Sequence, residues 1–250
     1  MKNFLVSFLL LISVTCSGQK IIVNGHKFSN TVPTVIADGN TVAWYRADQT
    51  ATITKDVSQK VSAWNDYLGS GRNLTAPNAD ATPTWSASGI TFNGVFNYMS
   101  ATFTLAQPEI TYIVIQLFAD SPDYGTMFCG ATSGANCPVY ANNISTVATV
   151  TLEAGGGAIS AGNFPVGQFN VLRVVANGAG SKVQINNLAA NTGNPGTNPL
   201  AGFTLGSNYG IDYVGSFSHI QVKEVILRKI VDSSPDEAAI YAYLKNKYGL

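Results

Sequence analysis

The sequence predicts an all-β fold: two antiparallel sheets packed as a sandwich, with one short helix at the C-terminal end. Three observations predict it. Roughly a dozen extended segments recur at about the 8–12-residue spacing of sandwich strands. Only 11% of the 250 residues are charged and 24 are glycine, a mixture that suits short strands and tight turns rather than helices. Finally, one segment near the end carries helix punctuation, beginning at Ser234-Pro235-Asp236-Glu237 and stopping at Gly249.

Residues 1–18 read as an export signal: Lys2, an apolar core from Phe4 to Val14, then Thr15, Cys16, Ser17 and Gly18. The core is too short to span a bilayer, so cleavage after Gly18 leaves no transmembrane anchor. Lipidation at Cys16 is the less favoured alternative, because Ser13-Val14-Thr15 is a poor lipoprotein context. A buried N-terminal element in a chain never exported is a third reading. Charges balance at 14 basic and 14 acidic, so no strong field draws nucleic acid.

Residues 19–33 form a lead-in, where Ile21-Ile22-Val23 can pair at a sheet edge and Asn24-Gly25 can turn. The body, residues 34–250, opens on Val42 to Ala47. Here Val42, Trp44 and Arg46 share one strand face, and Ala43, Tyr45 and Ala47 share the other. Lys60 to Trp64 follows, then the turn Asn65 to Gly71. The three tryptophans, Trp44, Trp64 and Trp85, are assigned to the core. Gly89 to Phe103 reads as a hairpin turning at Asn93-Gly94. Ile110 to Phe118 is the most apolar strand and is placed centrally.

Short strands follow at Thr126 to Cys129, Val139 to Ala141 and Val147 to Glu153. Ala154 to Gly157 is a turn or bulge, and Gln168 to Ala176 a strong strand joined by a hairpin to Lys182–Ile185. Asn186 to Pro199 is a loop. Phe203 to Leu205, Ile211 to Val214 and Phe217 to Arg228 complete the sheets. In the helix Ser234 is the expected N-cap, Pro235 the first helical residue and Glu237 the capping-box acid. Ile240, Leu244 and Tyr248 line a face that must cover the outside or edge of a sheet.

Cys129 and Cys137 lie eight apart in FCGATSGANCPVY. In an exported chain a disulfide is the natural reading, contributing roughly 2–3 kcal/mol by chain entropy; free thiols are the alternative.

The opening Ala43 to Asp48, Val61 to Asp66, Gly69 to Asn73, Pro83 and Phe92-Asn93-Gly94 resemble the concanavalin A-like, laminin-G-type domains of bacterial and phage surface proteins. So do Lys223 to Leu227, Ser234 to Glu237 and Tyr243 to Gly249. The resemblance covers about residues 34–250 and implies a jelly roll with one concave sheet, often used for glycan or surface recognition. Tyr67-Leu68 replaces the usual Ser-Gly, and Asn93 stands where Asp is usual.

Little in the chain points to catalysis. Glycosidases need two facing carboxylates, yet Glu109, Glu153 and Glu224 each lack an acidic neighbour at strand spacing, and Glu237 is explained by capping. Glu224, alternating with Val222 and Ile226, is expected at an edge or solvent face. His219 reads as a strand surface residue rather than a base. No Asp-x-Asp-x-Asp run occurs, so no metal or cofactor is assigned, and a calcium ion is left without sequence support.

The expected function is a secreted or surface-exposed, non-catalytic module that binds a glycan or other surface polymer. Sugars stack on aromatic rings while amides and carboxylates take their hydroxyls. That chemistry selects Tyr140 and Asn142 after the cysteine loop, and Tyr209, Asp212 and Tyr213 in the next aromatic turn. A structural or adhesion protein that packs against a protein partner, and a polysaccharide hydrolase or lyase, are the alternatives.

Overall fold

The structure, a computed structural model, describes residues 21–23, 26–28, 31–132, 137–208 and 216–250. The export segment 1–18, the Asn24-Gly25 turn, the strand expected at Ile211 to Val214, and Tyr209, Asp212 and Tyr213 lie outside the described residues. Two antiparallel sheets, one of eight strands and one of nine, face each other, and Ile21–Val23 pairs with His26–Phe28 apart from both.

Strand alternation builds the layers. In Thr41–Arg46, Tyr45 points between the sheets, 5.8 Å from the Trp64 ring, while Trp44 points to the other side. The inter-sheet core is filled by Tyr45, Trp64, Phe92, Phe128, Phe164 and Phe203, each buried. Trp64 is fully buried, Trp44 is buried against the helix rather than between the sheets, and Trp85 is half-buried. Burial of such side chains is worth roughly 1.5–3 kcal/mol apiece.

Glu109–Leu117 is central as expected, with Phe169–Ala176 on one side and His219–Arg228 on the other. His219–Arg228 divides its far edge between two strands. Residues 224–228 pair with Thr41–Arg46, and residues 219–222 pair with Gly89–Asn93.

A second apolar layer lies outside the eight-stranded sheet. Helix Ser234–Tyr248 presses Ile240 and Leu244 onto Ile110, Tyr112, Val114 and Val175. Gly249 ends it at φ 67°, the left-handed conformation in which glycine costs least. Its cap sits one residue earlier than expected. Ser233 is the N-cap and accepts from the Asp236 amide at 3.3 Å, while its hydroxyl donates to the Asp236 carboxylate at 2.7 Å. Glu237 is thereby released from capping and instead pairs with Arg173 at 2.6 Å and Lys182 at 2.5 Å.

Three further expectations are corrected. Gly89–Asn93 and Met99–Ala101 are not a hairpin but enter different sheets, so Asn93-Gly94 begins an arch across the sandwich. Asn93 Oδ1 accepts from the amides of Val95, Phe96 and Asn97 at 3.0, 3.2 and 3.2 Å, so the amide holds this turn where Asp is usual. Ala158–Pro165, which had no predicted strand, forms the edge of the nine-stranded sheet. Glu224 is fully buried beneath the helix, because the sheet face it occupies is roofed rather than wet. There it accepts from Trp44 Nε1 at 2.6 Å, Lys247 Nζ at 2.5 Å and the Tyr248 hydroxyl at 2.6 Å.

Candidate functional site

The outer face of the nine-stranded sheet carries the site. Strand Val139–Asn142 sends Val139 and Ala141 into the core, so Tyr140 projects outward. Tyr140 is opposite Thr126 on one neighbouring strand and Thr151 on the other. In Val147–Glu153 the core takes Val150 and Leu152, which leaves Thr151 and Glu153 on the same outer side as Tyr140. The Tyr140 hydroxyl donates to Glu153 Oε1 at 2.7 Å. Partial burial, then the Glu153 carboxylate, push the phenol up to about 12.

Tyr124 completes an aromatic corner. It sits at φ 62° in the turn before Gly125–Cys129, is 63% exposed, and its ring centroid lies 5.9 Å from that of Tyr140 at 40°. Its amide is fixed by the Ala141 carbonyl at 2.8 Å. Asn208 closes the opposite wall, and the groove between them measures about 430 Å³, with Thr126, Pro138, Glu153 and Ser216 completing its lining. Two ring faces, a carboxylate, an amide and two hydroxyls line one concavity, a set that fits a ligand with both apolar and hydroxylated surfaces.

Of the predicted residues, Tyr140 is in the groove. Asn142 is half-buried two residues along the same strand; its Oδ1 accepts from Asn143 Nδ2 at 3.4 Å and it does not line the groove. Tyr124 and Glu153 were missed, while Asn208 begins the aromatic turn that the sequence singles out. Alternation alone would have put Glu153 on the outer face, but nothing local shows that this strand neighbours Tyr140.

The expected Cys129–Cys137 disulfide is not shown by this structure, in which both side chains are buried. Cys129 Sγ donates to Asn208 Oδ1 at 3.2 Å, so it supports the groove wall. Burial raises the Cys137 thiol well above its ordinary value, which suppresses the thiolate that exchange requires.

The four glutamates are dispersed. Glu153 is in the groove, Glu224 lies under the helix, Glu237 pairs on the helix flank, and Glu109 closes one end of the sandwich interior. His219 is at a rim, half-exposed, with Nδ1 2.6 Å from Asp120 Oδ1 and its ring stacked 4.2 Å from Phe118. Among the described residues no group of three His, Cys, Asp or Glu side chains converges, and no helix is long and apolar enough to cross a membrane.

No family model and no curated protein matches the chain. Solved structures do. Trypanosoma rangeli sialidase in complex with sialic acid superposes at TM-score 0.62 and 10% identity, over 92% of this chain and 36% of that one. Domain 4 of AbnA, a GH43 extracellular arabinanase from Geobacillus stearothermophilus, in complex with arabinotriose, superposes at 0.57 and 14% identity, over 81% and 98%. A mutant GH54 α-L-arabinofuranosidase soaked with 4-nitrophenyl α-L-arabinofuranoside superposes at 0.55 and 10%, over 75% and 51%. This chain therefore spans about a third of the sialidase chain but nearly all of the arabinanase domain. At such identities the likeness establishes a shared β-sandwich fold.

Proposed function

We propose that this protein is an exported, non-catalytic glycan-binding module of the concanavalin A-like type, and that it holds sugar in the Tyr124–Tyr140 groove. The observation that carries the reading is the aromatic corner over Glu153, on a sheet face that no helix covers among the described residues. A pyranose or furanose stacks on the tyrosines and gives hydroxyl hydrogens to Glu153 and Asn208. Support comes from domain 4 of the GH43 arabinanase AbnA, a domain of this fold in complex with arabinotriose.

The hydrolase alternative, favoured by the enzymes among the structural neighbours, fits this groove less well. Glu153 is the one carboxylate among its described lining residues, whereas paired-carboxylate hydrolysis needs two. Some glycosidases use a tyrosine nucleophile, but the Tyr140 phenol is held protonated, its pKa pushed up rather than down.

The test is a glycan array probed with the exported chain, residues 19–250, beginning with arabino- and sialyl-oligosaccharides. Tyr140→Ala is expected to weaken the strongest interaction at least about tenfold, a loss of about 1.4 kcal/mol, with Tm unchanged. Unaltered binding in Tyr140→Ala and Tyr124→Ala would remove the site. Sugar release from any bound glycan would transfer the case to the hydrolase.

A further inference from the structure

A second groove follows the flank of the terminal helix on the opposite side of the molecule. Its main part, about 650 Å³, lies between the last helical turns and the outer face of the eight-stranded sheet. A smaller part, about 260 Å³, extends it toward the helix start, and Asn186, Asn187 and Tyr241 line both. The floor is rich in amides, including Gln116, Gln168 and Asn170, and the walls carry Phe169 and Tyr248.

Two lysines enter this groove, and neither is neutralised. Lys223 arrives there by a β-bulge: Glu224 is opposite Val114 and Val222 opposite Ile115, so Lys223 is the extra residue. Bulges of this kind re-aim a side chain. Its Nζ lies 3.9 Å from the Phe169 ring centroid and 5.2 Å from that of Tyr248. Burial pulls its pKa below the ordinary lysine value. Among the described residues no carboxylate comes within ion-pair distance of Lys223 or Lys245, whereas Lys182 and Lys247 on the same face are both paired. In the extension, Arg173 Nε is buried without a partner, although its Nη1 holds Glu237. The helix C-terminus adds a partial negative charge, and Leu250, the last residue of the sequence, also lines the groove. The Lys245 carbonyl is already taken by the amides of Gly249 and Leu250.

We propose that this groove binds an acidic saccharide of the uronate type, with a carboxylate between Lys223 and Lys245, a ring face on Tyr241 and hydroxyls on the amides. An unpaired, half-desolvated ammonium selects an anion. The alternation of amides with aromatic rings selects a sugar rather than a bare ion. Balanced net charge argues against nucleic acid, which demands many phosphate contacts. The groove is independent of the Tyr140 site.

Calorimetric titration with a galacturonate trimer at neutral pH tests it, using the exported chain. The trimer is expected to bind, and its methyl ester to bind at least about tenfold more weakly. The same loss is expected in the double variant Lys223→Gln/Lys245→Gln with unchanged Tm. Tyr140→Ala, which disables the other groove, is expected to leave trimer binding in place. Absence of trimer binding, equal binding of the methyl ester, or an unaffected double variant overturns the proposal. So does loss of binding in Tyr140→Ala, or displacement by inorganic sulfate at the trimer's own concentration.

Discussion

The two outer faces of the sandwich carry polar groups to opposite ends. On the eight-stranded sheet Glu224, Arg228 and Asp232 are buried under the helix and its entry segment. Arg228 donates to Asp232, to Asp38 at 3.1 Å and to the Val35 carbonyl at 2.6 Å. On the nine-stranded sheet Thr75, Tyr140, Glu153 and Ser160 are exposed or half-exposed, and among the described residues no helix covers them. Buried charge on the first face fixes how the helix docks; accessible polarity on the second is free to meet a ligand. The lesson is that a carboxylate's role here follows from what lies above its sheet.

The largest expected effect tests the roofed face. Glu224→Ala leaves Trp44 Nε1, Lys247 and Tyr248 without their shared acceptor, and is expected to cost about 3–5 kcal/mol in urea unfolding. Thr75→Ala, on the open face, should cost under about 0.5 kcal/mol. Similar values for the two would erase the contrast between the faces.

Next is a pH effect of on the order of 2–3 kcal/mol. Glu109 is 2% exposed, accepts the Leu200 amide on both oxygens at 3.0 Å, and burial pushes its pKa up to about 7 from 4.5. A raised carboxylate stabilises the fold fully below its unfolded pKa and loses that contribution as pH rises through the folded value. Stability should therefore fall as pH rises from about 4.5 to about 7, and Glu109→Gln should flatten the slope. Asp38 has the opposite sign. The hydrogen bond from Arg228 holds it well below the carboxylate range, so its contribution is lost in acid. A flat profile in the native protein across the upper window would discard the Glu109 assignment.

The smallest effects sharpen the comparison. Ser233→Ala removes the observed cap and should cost about 1 kcal/mol, while Ser234→Ala should stay within a few tenths. Tyr140→Phe keeps the ring but loses the hydrogen bond to Glu153, so it should weaken glycan binding less than Tyr140→Ala.

Much of the fold was legible because alternation is a local signal. Tyr45 and Trp44 were separated onto two faces by their spacing alone, and the Ile240–Leu244 stripe announced that the helix covers something. What failed depended on distant chain. Alternation places Glu224 on the outer face but is silent on whether a helix lies over it. Asn93-Gly94 signals a turn without saying that the chain changes sheets there. The Gly155–Gly157 run just before it and the polar alternation of Ala158–Pro165 hid an edge strand, whose outward residues have no apolar signature. Tyr140 could be singled out because an aromatic just before the amide pair Asn142-Asn143 is visible in the sequence. Tyr124 and Glu153 join it only through strand pairing.

Strand His219–Arg228 touches three segments that lie far upstream, and it alone bridges Thr41–Arg46 and Gly89–Asn93 to the centre of their sheet. During synthesis those segments wait for the last part of the polypeptide before they can be stitched together. Assembly is therefore governed by long-range closure and is slow by topology. A nascent chain halted before residue 219 should remain protease-sensitive across its early half, however much of the nine-stranded layer has already gathered.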